Sequence, residues 1–501
     1  MRFFCALLKV LTCPATSWRL SKSKRTSRLL LPVLYNFNIE KQHSSALCWA
    51  AQRDHSLLAE RLVREYHGNV NAVHDGNTPL LYAASDGSIK VVDALLASRQ
   101  IQVNWRNTKG HSALWRAARY GYTDIVKRLL KQDNIKVNIA DRTQGTTPLA
   151  VAVIQGHAKT VESLLTARRI KVNIRDRRGW TPVFHALSRA ISYGDRSILE
   201  MILTRPDVDL LHQDEEGRTP LIYAVQYNEV SLTAMFLRHP TSRTEPRDFH
   251  GRTALWYAVQ QGNTDIIPLL LDSGADVALN PNVTDDCGRT PLSCASRAGN
   301  LPMVELLLSR SDVRVNSAEQ NEQPPLWSAA SQGHIQVVER LLQCGDIEVN
   351  QGWGPYSSPL LAAITRGHSG VAMRLLNCVP RPDVNARTYL GDSALSLTAR
   401  EGHVDVVARL LEDWQTDRNG ADRQGRTALW WAARAGQAQI VQRLLEDDRV
   451  LIDVMDNDGV DAMGAARSYY HFEVVWLIRT HYFGRYSNWT GGRPHNLTTR
   501  S

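Results

Sequence analysis

Sixteen histidines, seven cysteines and fifty carboxylates could supply a metal centre, a redox pair or an acid–base site, so their spacing decides the first question. A zinc site or a disulfide framework needs cysteines in close, ordered groups. Cys5, Cys13, Cys48, Cys287, Cys294, Cys344 and Cys378 are odd in number, scattered and without a C-x-x-C, which fits a reducing compartment instead. Hydrolytic and phosphoryl-transfer chemistry would show as G-x-S-x-G, H-E-x-x-H, a Gly-rich loop ending in lysine, or the kinase signatures. None occurs, nor does D-H-H-C. The histidines recur instead in one setting, "QGH" ending at His157 and His334, "RGH" at His368 and "EGH" at His403. Asp141, Asp176 and Asp422 recur just as regularly, at the head of turns where a carboxylate can accept backbone N–H groups. Chemistry this periodic is structural. The reading is a chain with no catalytic, cofactor-binding or metal-binding residues, and so not an enzyme.

The element that spaces these residues is a repeat. An anchor tripeptide begins at Ser45, Thr78, Ser112, Thr147, Thr181, Thr219, Thr253, Thr290, Pro324, Ser358, Ser393, Thr427 and, degraded, at Asp461, in steps of 33 to 38 residues. Thr or Ser suits a helix N-cap, and the proline that often follows suits the first turn, where its missing N–H costs nothing. In "TPLLYAASDGSIKVVDALLAS" (78–98), Leu80, Ala83 and Ala84 make an inward stripe and Gly87 ends the first helix. A second helix carries Val91, Val92, Leu95 and Leu96 at helical spacing. An extended finger turning at Gly110 completes the unit. One such unit cannot bury its own apolar side; a stack of them can.

The Thr-Pro-Leu start, the mid-unit glycine and the "VN" of the finger, as at Val103–Asn104 and Val349–Asn350, resemble ankyrin repeats. A tetratricopeptide array shares the period but lacks all three. "L-W-x-A" starts are similar to those of ankyrin repeat proteins of filamentous fungi. The resemblance implies an all-α solenoid of about thirteen helix-turn-helix units with hairpin-like fingers. It divides the chain into a disordered basic leader (1–40), the array (41–479) and a basic polar tail (480–501). The step of 38 after Thr181 is assigned to a longer connection at "LSRAISYGDRS", and the step of 37 after Thr253 to "LNPNVTD" (279–285) in a finger. In the last unit Tyr470 and His471 stand for the usual glycine and histidine, marking a C-terminal cap.

The family's T-P-L-H histidine, which ties adjacent units near the helix start, is missing from every unit. Its place holds Trp115, Trp256, Trp327 and Trp430 among other, mostly apolar residues. These tryptophans fall on the third, seventh, ninth and twelfth units, not on neighbours as a ligand ladder would require. Trp430 therefore reads as core, its N–H within reach of a neighbouring carbonyl.

What remains is a surface. The resemblance implies partner proteins bound on the concave side, made of finger tips and the exposed ends of first helices. The candidate partner-binding residues there are Trp105, Arg119, Tyr120, Arg177, Arg178, Trp180, Gln226, Tyr227, Phe249, His250, Trp353, Tyr356 and Tyr389, since aromatics and arginines dominate binding hot spots. Trp180, like Arg177 and Arg178, lies outside the apolar stripes.

The formal charge is +9, but residues 1–39 hold seven basic side chains and no acid, and residues 479–501 hold four more. The remainder carries 48 basic against 50 acidic groups. With the excess in the ends, nucleic-acid binding by the array is not expected, and recognition should rest on aromatic anchors more than on salt-sensitive charge. No apolar run reaches the roughly 20 residues of a membrane span. "MRFFCALLKVLTCPA" is interrupted by Lys9 and lacks a cleavage site, so the glycosylation-type triplets at Asn282, Asn488 and Asn496 read as chance. A cytoplasmic or nuclear monomer follows, with mitochondrial targeting by the basic leader as the alternative. The function read from this is a non-catalytic scaffold or adaptor. The alternative is a ubiquitin-ligase adaptor, because "LPVLYNFNIEKQHSSALCWAAQRDH" (31–55) resembles the lead-in to the array in fungal F-box proteins.

Overall fold

The anchors do at the atomic level what a cap requires. The Ser112 hydroxyl accepts from the Trp115 N–H and the Thr147 hydroxyl from Ala150 N–H, and Thr78, Thr219, Thr253, Thr290, Ser358, Ser393 and Thr427 repeat the bond. Even the degraded anchor works, with Asp461 accepting from Gly464 N–H. Each such cap contributes about 1 kcal/mol. The computed structural model describes residues 39–65, 68–239, 246–271, 280–316, 322–353 and 358–487. Within them lie twenty-six helices in thirteen pairs and no strand. The leader up to residue 38, the tail beyond Ser487 and Tyr356 lie outside the described residues.

The chain forms two units, Met1–Glu215 and Glu216–Ser501. In the first, five helix pairs stack in order. Each first helix packs on the next (Ile39–Gln52, Pro79–Asp86, Ala113–Tyr120, Pro148–Gln155, Pro182–Tyr193), and each second helix does the same. The alanine pairs Ala83–Ala84 and Ala117–Ala118 are fully buried between them. The second unit stacks eight pairs in the same way, from Pro220–Gln226 to Ala462–Ser468 with its partner helix Phe472–Ser487. No described helix is long and apolar enough to cross a membrane.

Glycine is demanded where the first helix ends. Gly121 has φ 74°, and a Cβ on it would sit 2.6 Å from the ring of His157, which lies over it from the next unit. The His157 Nε2 meets the Arg119 carbonyl oxygen at 3.1 Å, and His334 meets that of Arg297 at 2.9 Å. So His157 and His334 do more than close their own turn; they bridge to the preceding unit.

Three local readings change. Ser45 is no cap, because its helix starts upstream at Ile39, and Thr181 stands at the cap position but its buried hydroxyl makes no cap bond. The long step after Thr181 lies in the first helix itself, which runs Pro182–Tyr193, 12 residues instead of the usual 8. Four extra residues are about one turn, so the buried face stays in register, whereas a lengthened loop would not have needed that number. In the last unit Tyr470 takes the left-handed conformation (φ 61°) in the glycine's place, but His471 occupies the ordinary histidine position, over Gly436.

The "VN" dipeptide sews finger to finger. The valine is buried, as at Val103 and Val172, and the asparagine reaches across. Asn104 Nδ2 donates to the Asn134 carbonyl at 2.7 Å while its Oδ1 accepts from the Lys136 N–H at 2.8 Å. Asn71, Asn138, Asn173, Asn282, Asn316, Asn385 and Asn419 make the same two bonds one unit further on. The amide of Asn282 is thereby occupied within the fold.

Candidate functional site

Several finger turns are built on one enclosed aspartate, where others use Asn107 or Thr388. Asp141 Oδ1 accepts from Thr143 N–H at 2.7 Å and Gln144 N–H at 2.8 Å, and its Oδ2 from the Thr146 N–H at 2.7 Å and hydroxyl. Burial opposes its ionisation, but bonds from Thr143, Thr146 and Gln144 outweigh this and hold the carboxyl well below the usual carboxylate range. Asp176, Asp248 and Asp422 accept backbone N–H groups in the same way. A residue on the following helix then reaches back to the second oxygen: His185 Nε2 to Asp176 at 2.9 Å, Tyr257 OH to Asp248 at 2.7 Å, Trp431 Nε1 to Asp422 at 3.1 Å. These three stand one position after the missing family histidine. The tie near the helix start is therefore kept, by a neighbour.

Trp430 is core. It is 7% exposed, with Trp431 edge-on at 5.2 Å. Its N–H, however, finds no acceptor among the described residues, nor does that of Trp327; Trp115 alone of the four reaches a carbonyl, Thr146 O at 3.0 Å. Two guanidiniums lie near the Trp430 ring, Arg426 at 5.4 Å and Arg434 at 5.6 Å from its centre.

In the first unit, Arg119 is exposed and lies over the Trp115 ring at 5.5 Å, and Tyr120 is exposed beside Tyr122. Arg177 and Arg178 are exposed on one finger, where Arg177 Nη2 donates to the Arg142 carbonyl. Trp105 is half-buried with its ring nitrogen enclosed and unpaired. Trp180 is half-buried as well, stacked on Phe184 at 5.9 Å and against His185 at 5.3 Å, so it belongs to the packing after all. In the second unit, Gln226 accepts from Arg218 Nη1, and Trp353 packs edge-on against Trp327 at 5.2 Å. Tyr227 (52% exposed), Phe249 (65%) and Tyr389 (68%) present their rings, and His250 is exposed next to Phe249. The candidates are strung along the fingers of each unit and do not converge on one cleft.

The sequence reading missed the basic companions of these residues: Arg106, Lys109, Arg142 and Arg175 in the first unit, Arg400, Arg423 and Arg434 in the second. The signal was a local count. Residues 99–180 hold seventeen basic and five acidic side chains, a surplus that averaging over the whole array conceals. As for bond-making chemistry, no group of three His, Cys, Asp or Glu side chains is placed to hold a metal ion among the described residues. Burial pushes the thiols of Cys48 and Cys294 up to about 12, which suppresses the reactive thiolate.

Known proteins share this build. The family profile "Ankyrin repeats (3 copies)" matches residues 20–107, 47–141, 98–176, 187–281 and 278–352, and "Ankyrin repeat" matches 424–457. Similar curated proteins include a "Probable E3 ubiquitin-protein ligase" of Oryza sativa subsp. japonica, 32% identical over 108 residues, 21% of each chain. An ankyrin repeat domain-containing protein of Stachybotrys chartarum is 31% identical over 125 residues, 22% of this chain and 6% of that one. Rabankyrin-5 of Mus musculus is 28% identical over 215 residues, 43% of this chain and 18% of that one. This chain thus spans about a fifth or less of the length of these relatives. A solved ankyrin repeat protein aligns with 39% of the chain at 24% identity and TM-score 0.36. With matches over more than half of its residues and a cap, glycine and finger in unit after unit, the chain belongs to the ankyrin repeat family.

Proposed function

We propose that this chain is a non-catalytic scaffold or adaptor that binds partner proteins on its finger tips and the exposed ends of its first helices. One observation carries the reading: the fingers are locked together while their tips stay open. Asn385 and its counterparts fix each finger to the next, yet Tyr389 on the finger it begins is 68% exposed, as Phe249 is 65% exposed on another. A rigid backbone presenting exposed aromatic rings, that of Tyr389 with the Arg423 guanidinium over one face at 4.5 Å, loses little entropy on association. The recurrent aspartates and histidines are committed to the fold, with Asp141, Asp176, Asp248 and Asp422 tied inside their turns and His157 and His334 spent between units. The ligase reading gains only weak support from the rice relative, because the likeness covers 21% of this chain and is a likeness of repeats.

The test is affinity capture with the full chain and with a Tyr227→Ala, Phe249→Ala, Tyr389→Ala variant. None of the three is buried, so circular dichroism should be unchanged. A partner protein docked there should bind weaker by about 2 kcal/mol or more. Equal capture by both proteins would remove this surface from the interface.

A further inference from the structure

The geometry points to an acidic, extended segment of a partner protein as the ligand of the first unit, held by the fingers between residues 99 and 180 and by the helix Ala113–Tyr120. This rests on the scaffold reading and names the chemistry of its partner.

The five acids of this stretch are all accounted for. Asp141 and Asp176 are turned inward and bonded within their own turns. Asp124 and Glu162 sit on second helices, and Asp133 follows one of them. What the fingers and the first helix present is basic. Arg106, Lys109, Arg119, Arg142, Arg175, Arg177 and Arg178 are all exposed, and among the described residues none has an acidic side chain within ion-pairing distance. The nearest acid on a first helix is Asp86, one unit earlier, which feels Arg116. The positive field shows in His111: burial first, then Arg116, Arg119 and Lys109 against a smaller pull from Asp141, lower its pKa to about 4.

The cations are also prearranged. Consecutive tips are bonded, Arg142 N–H to the Lys109 carbonyl at 2.9 Å and Arg177 N–H to that of Gln144 at 2.8 Å. Two guanidiniums are pinned across the gap between fingers, Arg106 on the Ala140 carbonyl at 2.6 Å and Arg177 on that of Arg142. Gly110 makes room for this, since a Cβ there would meet Arg142 N at 2.6 Å and Arg106 Nη2 at 2.9 Å. A row of positive charge that the fold supports without counter-charge is electrostatically unfavourable until an anion arrives.

Three features select a carboxylate-bearing peptide over a nucleic acid. Six of the seven exposed cations are arginines, whose forked donors match carboxylates two bonds at a time. Stacked units repeat every 8–10 Å or so, close to the ~10 Å covered by three extended residues, so acids at every third position would meet successive fingers. Single-stranded nucleic acid also needs free aromatic faces. Here the Trp115 ring is covered by Arg119, Trp180 is stacked on Phe184 and Trp105 is half-buried, and the exposed Tyr120 is one ring where successive bases need a series.

The test uses the full chain and fluorescence anisotropy. One probe is a labelled peptide with glutamate at every third position and serine between; the other is a labelled oligothymidylate of similar length. The finger variant is Lys109→Glu, Arg142→Glu, Arg175→Glu and Arg178→Glu, four side chains without a bond in the fold. The control carries the same charge change on the second-helix side, Lys127→Glu, Lys131→Glu, Lys159→Glu and Arg168→Glu. We expect the finger variant to lose about tenfold or more in peptide affinity and the control about twofold or less, both keeping native helicity. No binding of the peptide by the wild type, equal losses in the two variants, or tighter binding of the oligothymidylate would each overturn the inference. Partner capture that persists in the finger variant would leave the scaffold reading standing and this assignment refuted.

Discussion

Trp115 and Trp430 fill equivalent places and differ by one hydrogen bond. Trp115 donates to the Thr146 carbonyl; the Trp430 N–H is buried without an acceptor among the described residues. Trp430→Ala should cost roughly 3–5 kcal/mol through the cavity it leaves. Replacement by phenylalanine should separate the two sites, with Trp115→Phe the worse by about 1 kcal/mol because it alone breaks a bond. Urea unfolding of the pair of variants decides this, and equal costs would show that the bond carries nothing. Asp141 supplies a second prediction at this scale. Its folded-state pKa lies below the ordinary value, so its contribution is fully present above about pH 4 and is lost as the pH falls through the lower folded value. Asp141→Asn should therefore cost about 1–3 kcal/mol at neutral pH, and the difference from wild type should shrink near pH 2. A deficit that does not change with pH would mean that shape, and not charge, holds the turn.

Elements were legible where local chemistry sets them. Capping hydroxyls, first-turn prolines and terminating glycines act within a few residues, so thirteen helix pairs could be read from the sequence. What crosses between units could not. The extra residues after Thr181 were placed in a connection because "SYGDRS" carries turn formers, yet packing of Ala190 against the core keeps the helix going to Tyr193. The valine–asparagine dipeptide marked the fingers, but nothing in it disclosed that the carbonyl acceptor lies about thirty residues away. Of the candidate residues, Arg119, Tyr120, Tyr227, Phe249 and Tyr389 are exposed, whereas Trp105, Trp180, Gln226 and Trp353 are half-buried, Trp180 against Phe184 in the first turn of the following helix. Asn104→Ala should test the element-level finding. It removes two bonds between fingers and should destabilise the first unit by about 1–2 kcal/mol, with faster amide exchange at Lys136. Unchanged exchange there would disprove the lock.

In a stack, each unit is stabilised chiefly by its neighbours, so position along the chain becomes a thermodynamic variable. The helix Pro148–Gln155 is flanked on both sides, whereas Ala462–Ser468 has a first helix on one side only among the described residues. Hydrogen exchange should accordingly be slower in Pro148–Gln155 than in Ala462–Ser468, and the reverse order would contradict nearest-neighbour stabilisation. Charge is also organised at this scale. An array that is neutral as a whole keeps a strongly basic stretch at 99–180 and an acidic balance elsewhere, so solution behaviour and local recognition obey different numbers.

The asparagine ladder also gives the molecule a chemical lifetime. Asn419 alone among these asparagines is followed by glycine, Gly420, and the missing side chain exposes the next backbone nitrogen to attack on the Asn419 carboxamide. Attack by that nitrogen expels ammonia and closes a cyclic imide, which water then opens to aspartate or isoaspartate. The acceptor facing the Leu451 N–H would survive, but the donor to the Arg449 carbonyl would be replaced by a negative oxygen facing another. The fingers of the last two units would then come unfastened by age alone, at one rung, with no protease and no change of sequence.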